Sequence, residues 1–170
     1  MPENFPESNS LLLGALQANA AGGLDGDAVN AARCNDLTVI FTMAVAAGNT
    51  AGDQATVAVK AAEDNAGTNV ETLSFDEYYI QKAATLAAAG SPVGCWERVD
   101  LTTAVTSFQT AAADGTKQIR LAIPIRTRSL PQGKNWVSGH VTALTNARVI
   151  GIEYVRHLND YSPNPNEAMY

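Results

Sequence analysis

The chain has 170 residues, enough for one domain with a two-sheet core and short for two. Its formal net charge of −6 excludes the basic footprint that nucleic-acid binding requires, and Cys34 and Cys95 lack the spacing of a zinc or redox pair. Only 16% of residues are charged, against about 25% in ordinary soluble domains. A surface this poor in charge suits a protein partly covered by another protein.

Residues 1–22 read as an N-terminal arm. Pro2 and Pro6 bar a helix through the first residues. Leu11, Leu12, Leu13 and Leu16 then form an apolar run, which Ser10 would cap as a short helix or which would pair as an extended segment. Either form needs a surface, on the domain itself or on a neighbouring subunit. The run imitates a secretory signal, with Ala18-Asn19-Ala20 as the small-x-small pattern. The residues before it include Glu3 and Glu7 and no Lys or Arg, which argues against a signal. The run also falls short of the roughly 20 apolar residues a bilayer crossing takes. The expectation is a cytoplasmic protein with no membrane partner.

From residue 23 the pattern is period two. Residues 28–34, 37–46 and 55–62 read as strands, with Leu37, Val39, Phe41, Met43 and Val45 sharing one face of the second. In the third, Ala55, Val57 and Val59 oppose Thr56, Ala58 and Lys60. Gly48 and Gly52 mark a hairpin connector between the two. A polar loop over 61–69 leads to a strand over 70–82. The alanine-rich stretch 83–89 reads equally as a helix or as a loop crossing between sheets.

Shorter strands follow over 95–101 and 105–110, and Asp114-Gly115 signals a tight turn. Residues 117–126 alternate clearly, with Ile119, Leu121, Ile123 and Ile125 on one face; Pro124 should end this strand or place it at a sheet edge. The last strands cover 136–143 and 148–157. The end, 159–170, is an extended tail interrupted by Pro163 and Pro165. About eight strands without a repeating period predict an all-β protein, a two-sheet sandwich of jelly-roll type over residues 23–158.

Catalytic signatures are absent. Ser138 and His140 share a strand face, and several aspartates make a Ser-His-Asp triad arithmetically possible, but no Gly-x-Ser-x-Gly elbow accompanies them. The reading is that His140 and His157 are surface or edge-strand histidines. The pairs Glu63-Asp64 and Asp76-Glu77 are sequence neighbours, which on a strand point to opposite faces and do not converge on a sugar. Gly22 to Asp27 has the composition of a calcium turn, but the twelfth position counted from Asp25 is Asp36 in place of Glu, and flanking helices are missing. No phosphate-cradling glycine loop occurs. The cysteines are expected as free, buried thiols, with a disulfide only if their strands meet. Arg120, Arg126 and Arg128 gather without stacking aromatics, which favours salt bridges or an interface over nucleic acid. The expectation is a protein that is not an enzyme, with no catalytic residue, cofactor or metal.

A wider order of motifs is visible. A Gly-Asp turn leads into the first strand and is followed by Leu37-Thr38-Val39-Ile40-Phe41 and a glycine-rich loop. A strand then runs into Lys60-Ala61-Ala62-Glu63-Asp64-Asn65-Ala66-Gly67, with Thr72-Leu73-Ser74-Phe75-Asp76-Glu77-Tyr78-Tyr79 just beyond. This order resembles the capsid decoration (cement) proteins of tailed bacteriophages, most strongly over 36–82. The resemblance implies a β-sandwich on the outside of an icosahedral shell, often a homotrimer, whose partner is the major capsid protein. It brings no catalytic residues. The candidate partner contacts are Leu11, Leu12, Leu13 and Leu16 of the arm and Pro163 and Pro165 of the tail. The implied location is the capsid exterior, reached after assembly in the host cytoplasm. A phage tail or baseplate protein shares the same composition. A carbohydrate-binding jelly roll would need Trp96, Trp136, Tyr78 and Tyr79 gathered on one face.

Overall fold

The computed structural model describes residues 9–20, 23–32, 34–45, 48–83, 94–146 and 148–158. In chain order the strands are β1 (Asn9–Ala20), β2 (Leu24–Asp25), β3 (Val29–Asn30), β4 (Cys34–Ala44), β5 (Ala55–Ala62) and β6 (Glu71–Thr72). They continue as β7 (Phe75–Lys82), β8 (Glu97–Val105), β9 (Phe108–Gln109), β10 (Ile119–Arg126), β11 (Trp136–Leu144) and β12 (Arg148–Leu158). Two 3-10 turns, Ala112–Asp114 and Thr127–Ser129, are the helical segments among the described residues.

The strands form two antiparallel sheets. One runs β1-β12-β4-β10-β7-β8 and the other β2-β11-β5-β6, with β3 beside β11 and β9 beside β5. Setting aside the β7–β8 pair and the strands β3 and β9, which lie off the main path of the second sheet, eight strands remain. Counted along the chain, they lie in the orders first-eighth-third-sixth and second-seventh-fourth-fifth. That interleaving, in which the chain keeps returning to the opposite sheet, is the jelly roll. The β7–β8 hairpin widens the first sheet beyond β10.

The expected arm is, from Asn9 to Ala20, a strand of the sandwich: β1 pairs along β12 from Asn9↔His157 to Ala20↔Arg148. The extended alternative for the leucine run is therefore the one adopted, on the chain's own sheet. Residues 1–8 and the tail 159–170, with Pro163 and Pro165, lie outside the described residues, as do 84–93 of the alanine-rich stretch. The single strand expected over 70–82 is split into β6 and β7, which belong to different sheets. Likewise, the strand expected over 28–34 is reduced to Val29–Asn30 before a turn. β10 follows β4 as far as Arg126, but its pairing with β7 stops at Ala122. Pro124 thus sits where β7 no longer flanks the strand, so its missing donor costs no bond on that side.

Alternation decides what is buried. Leu37, Val39, Phe41 and Met43 of β4, Ile119, Leu121 and Ile123 of β10, and Ile150, Ile152 and Tyr154 of β12 are wholly inaccessible. They meet Val57, Val59, Ala61, Val137 and Val141 of the second sheet. Large side chains on one sheet oppose small ones on the other, and the backbones approach closely at Gly139. A Cβ there would lie 2.9 Å from Ile152 Cγ2 and Val39 Cγ1 and 3.0 Å from the Phe41 ring.

Tyr154 ties the two sheets together. β2 and β3 both pair with β11, but residues 26–28 between them leave the ladder. Across this gap the Gly26 N–H donates to Gly139 O (2.9 Å), and the Gly139 N–H donates to the Tyr154 hydroxyl (2.9 Å). Burial pushes that phenol up to about 12. Tyr154→Phe should leave a buried N–H without a partner and lower stability by ~1–3 kcal/mol. The expected reading is a lower urea midpoint at unchanged slope; an unchanged midpoint would show that the hydroxyl contributes nothing.

Candidate functional site

The outer face of the smaller sheet carries a cluster of polar groups. Val137, Gly139 and Val141 of β11 face inward, so Ser138 and His140 stand together on the outside. β2 brings Asp25 directly opposite His140, and β5 brings Lys60 opposite Ser138. On β5, His140 faces Ala58, whose small side chain leaves room for the ring. Asp25 reaches this register because Gly26 follows it. A Cβ at Gly26 would sit 2.7 Å from the Tyr154 hydroxyl and 2.8 Å from Gly139 O, so any larger residue would push β2 away.

The geometry is that of a linked hydroxyl, imidazole and carboxylate. Ser138 Oγ lies 2.8 Å from His140 Nε2, and His140 Nδ1 lies 2.5 Å from Asp25 Oδ1. An ionised carboxylate only accepts, so Nδ1 carries the proton and donates it; Nε2 is then the acceptor for the Ser138 O–H. The hydrogen bond from His140 holds the Asp25 carboxyl below its ordinary value. Burial pulls the imidazole below its usual range, with the Lys60 charge adding to this and Asp25 opposing it. The result is a neutral imidazole with a defined tautomer at pH 7. The His140 side chain is 12% exposed and that of Asp25 84%. His140 is therefore a covered histidine with two partners, which corrects the expectation of a bland surface residue. Beside it opens a hollow of about 330 Å³, lined by Gly23, Leu24, Asp25, Lys60, Val141 and Thr142.

The outer face of the larger sheet is different in character. One cross-strand row crosses all six strands: Leu13, Glu153, Ile40, Ala122, Tyr79 and Arg98. The flanking rows mix small or uncharged residues, including Gly151, Thr42, Thr38 and Pro124, with Arg120 opposite Thr42 and Glu77 opposite Asp100. Leu13 is 63% exposed at one edge and Trp96 41% exposed near the other. The Arg120 guanidinium lies over the Trp96 ring at 5.6 Å and 3.6 Å from Glu153.

Of the contacts expected from sequence, Leu11, Leu12, Leu13 and Leu16 are all in β1, opposite Val155, Tyr154, Glu153 and Gly151. The aromatics suited to sugar stacking are not gathered on one face. Tyr78 packs tilted on Phe108 at 4.7 Å, Trp136 belongs to β11, and Trp96 lies against the other sheet. Both cysteines are free, but Cys95 is exposed and only Cys34 is buried. The carboxylate pairs serve local structure: Asp64 accepts from the Ala66 and Thr68 N–H groups, Glu63 from Asn69, and Glu77 pairs with Arg98. His157 meets Thr38 at 3.3 Å. Among the described residues no group of three or more His, Cys, Asp or Glu is arranged to hold a metal. Asp25 is what sequence reasoning missed, because 115 residues separate it from His140.

No protein-family model matches this chain, and no curated protein matches it. Among solved structures, it aligns with a chain from a structure of infectious bursal disease virus Gt strain at 12% identity and a TM-score of 0.22. The alignment covers 94% of this chain and 41% of that one. A likeness of that degree defines neither a fold nor a role.

Proposed function

We propose that this protein is a structural component of a bacteriophage particle, lying on the outside of the capsid and stabilising it by bridging major capsid protein subunits, as a homotrimer. The observation that carries the reading is the outer face of the six-stranded sheet. It is wide, its charged side chains Arg98, Glu77, Asp100, Arg120 and Glu153 are paired with one another, and Leu13 and Trp96 stand exposed near its opposite edges. A face of this kind covers a partner's surface and does not enclose a substrate. The motif order over 36–82 and the two-sheet architecture agree with the decoration-protein resemblance.

Trp96 is the residue with most to lose, since buried Trp and Arg dominate interface energies. Trp96→Ala should weaken binding to particles depleted of this protein by ~2 kcal/mol, about 30-fold in Kd, while the urea midpoint stays close to that of the parent. Co-sedimentation with particles measures it. Unchanged binding would remove this face from the contact and favour a tail or baseplate location.

A further inference from the structure

We propose that Ser138, His140 and Asp25 form a nucleophilic site that takes small acyl groups from activated carboxylic esters onto Ser138 Oγ. The inference goes beyond capsid binding and is independent of it, because the site lies on the outer face of the β2-β11-β5-β6 sheet and the docking face belongs to the other sheet.

Three observations carry it. The hydroxyl, imidazole and carboxylate are connected in the order that nucleophilic catalysis needs, with Nε2 toward the hydroxyl and Nδ1 toward the carboxylate. A histidine serving only to anchor β2 would need Asp25 alone; here the second nitrogen is spent on a serine. Lys60 stands across from Ser138 and is close enough to act electrostatically on both Asp25 and His140. It is the cation placed to offset negative charge developing on a carbonyl oxygen. The neighbouring hollow of about 330 Å³, which Asp25 and Lys60 both line, has room for a short acyl chain.

The chemistry closes without a further reagent. Ser138 Oγ attacks the ester carbonyl carbon as its proton passes to Nε2. The ester C–O bond then breaks, and the leaving oxygen takes that proton from Nε2 and departs as the alcohol. Water attacks the acyl-serine in the same way, giving its proton to Nε2; the carboxylic acid leaves and Ser138 is restored. Asp25 acts through His140 as a positioning residue. Ser138 lies mid-strand, without the sharp turn that presents the nucleophile in efficient hydrolases, so turnover is slow.

The test is to treat the full chain with p-nitrophenyl acetate and, separately, with a fluorophosphonate, and to map the modified residues by peptide mass spectrometry. Ser138 should be modified ~100-fold or more faster than the exposed Ser129, which serves as an internal control. His140→Ala should bring Ser138 down to the Ser129 rate. Asp25→Asn, at an exposed position that leaves the fold intact, should lower it ~100-fold with an unchanged urea midpoint, because the amide no longer holds the proton on Nδ1. Modification of Ser138 at the Ser129 rate, transfer to Lys60 in its place, or indifference to His140→Ala would each overturn the proposal.

Discussion

Particles lacking this protein are expected to assemble with normal geometry and to lose their DNA at a lower temperature than complete ones. A protein that binds the assembled shell and not its separated subunits stabilises the shell by linkage, ~3–4 kcal/mol per site at a hundred to a thousand times the dissociation constant. Summed over many sites, this should appear as a clear shift in the temperature of DNA release. Adding the purified protein back should restore the shift, and the Trp96→Ala variant should restore less of it at equal concentration. Heat-stable depleted particles, with no copies of the protein found on the shell, would end the decoration reading. Electron microscopy of the source particles would show directly whether the six-stranded face meets the capsid.

Arg148→Ala is expected to cost ~3–5 kcal/mol, a large part of the 5–15 kcal/mol that holds a typical domain together. Arg148 is 1% exposed, on the same inward face of β12 as Ile150, Ile152 and Tyr154. It fills one end of the sandwich, where the loops before β5, before β10 and before β12 meet. Its Nη2 donates to Gly115 O, with Asp53 O and Asp114 O each at 3.5 Å. The Asp53 carboxylate is in turn held by the Thr50 N–H (2.7 Å), Asn146 (2.7 Å) and Asn49 (3.3 Å). Asp114 is gripped by Lys82 at 2.6 Å and Lys117 at 2.8 Å. Truncation to alanine strands the Gly115 carbonyl, removes a cation from two carboxylates and opens a cavity. Arg148→Met refills the volume alone, so it should recover part of the loss. Urea midpoints for the two variants separate packing from charge; a methionine variant as stable as the parent would show that the guanidinium is not needed.

The same end should control acid stability. Burial works to raise the Asp114 carboxyl, but Lys117 and Lys82 outweigh it and hold the group below its ordinary value. The unfolded chain therefore binds its proton first, at a pH near 4. The stabilisation is complete above that pH and is lost as pH falls toward the folded value.

Much of the fold was legible because side-chain parity is a local property. Leu37, Val39, Phe41 and Met43 declare the inner face of β4, and Ile119, Leu121 and Ile123 that of β10, without reference to any partner strand. The same parity placed Ser138 beside His140 and opposed Val57 to Lys60. It also placed Ile150, Ile152, Tyr154 and Arg156 on one face of β12, although nothing in the alternation says why an arginine belongs there.

Partnership was beyond the sequence. That the leucine run is a strand at all, and that it lies along β12, depends on an edge formed by residues near the other end of the chain. The split between β6 and β7 was hidden because an alternating run reads the same whether it stays in one sheet or crosses to the other. Asp25 looked like a turn residue until β2 was laid against β11, where the Gly26 N–H bond to Gly139 O and the register of the pair set it opposite His140. The chain by itself determined that it would form half-buried strands and which side of each would face the core. The tertiary structure alone decided which strands meet, because pairing is chosen by long-range burial among many strands with the same local pattern.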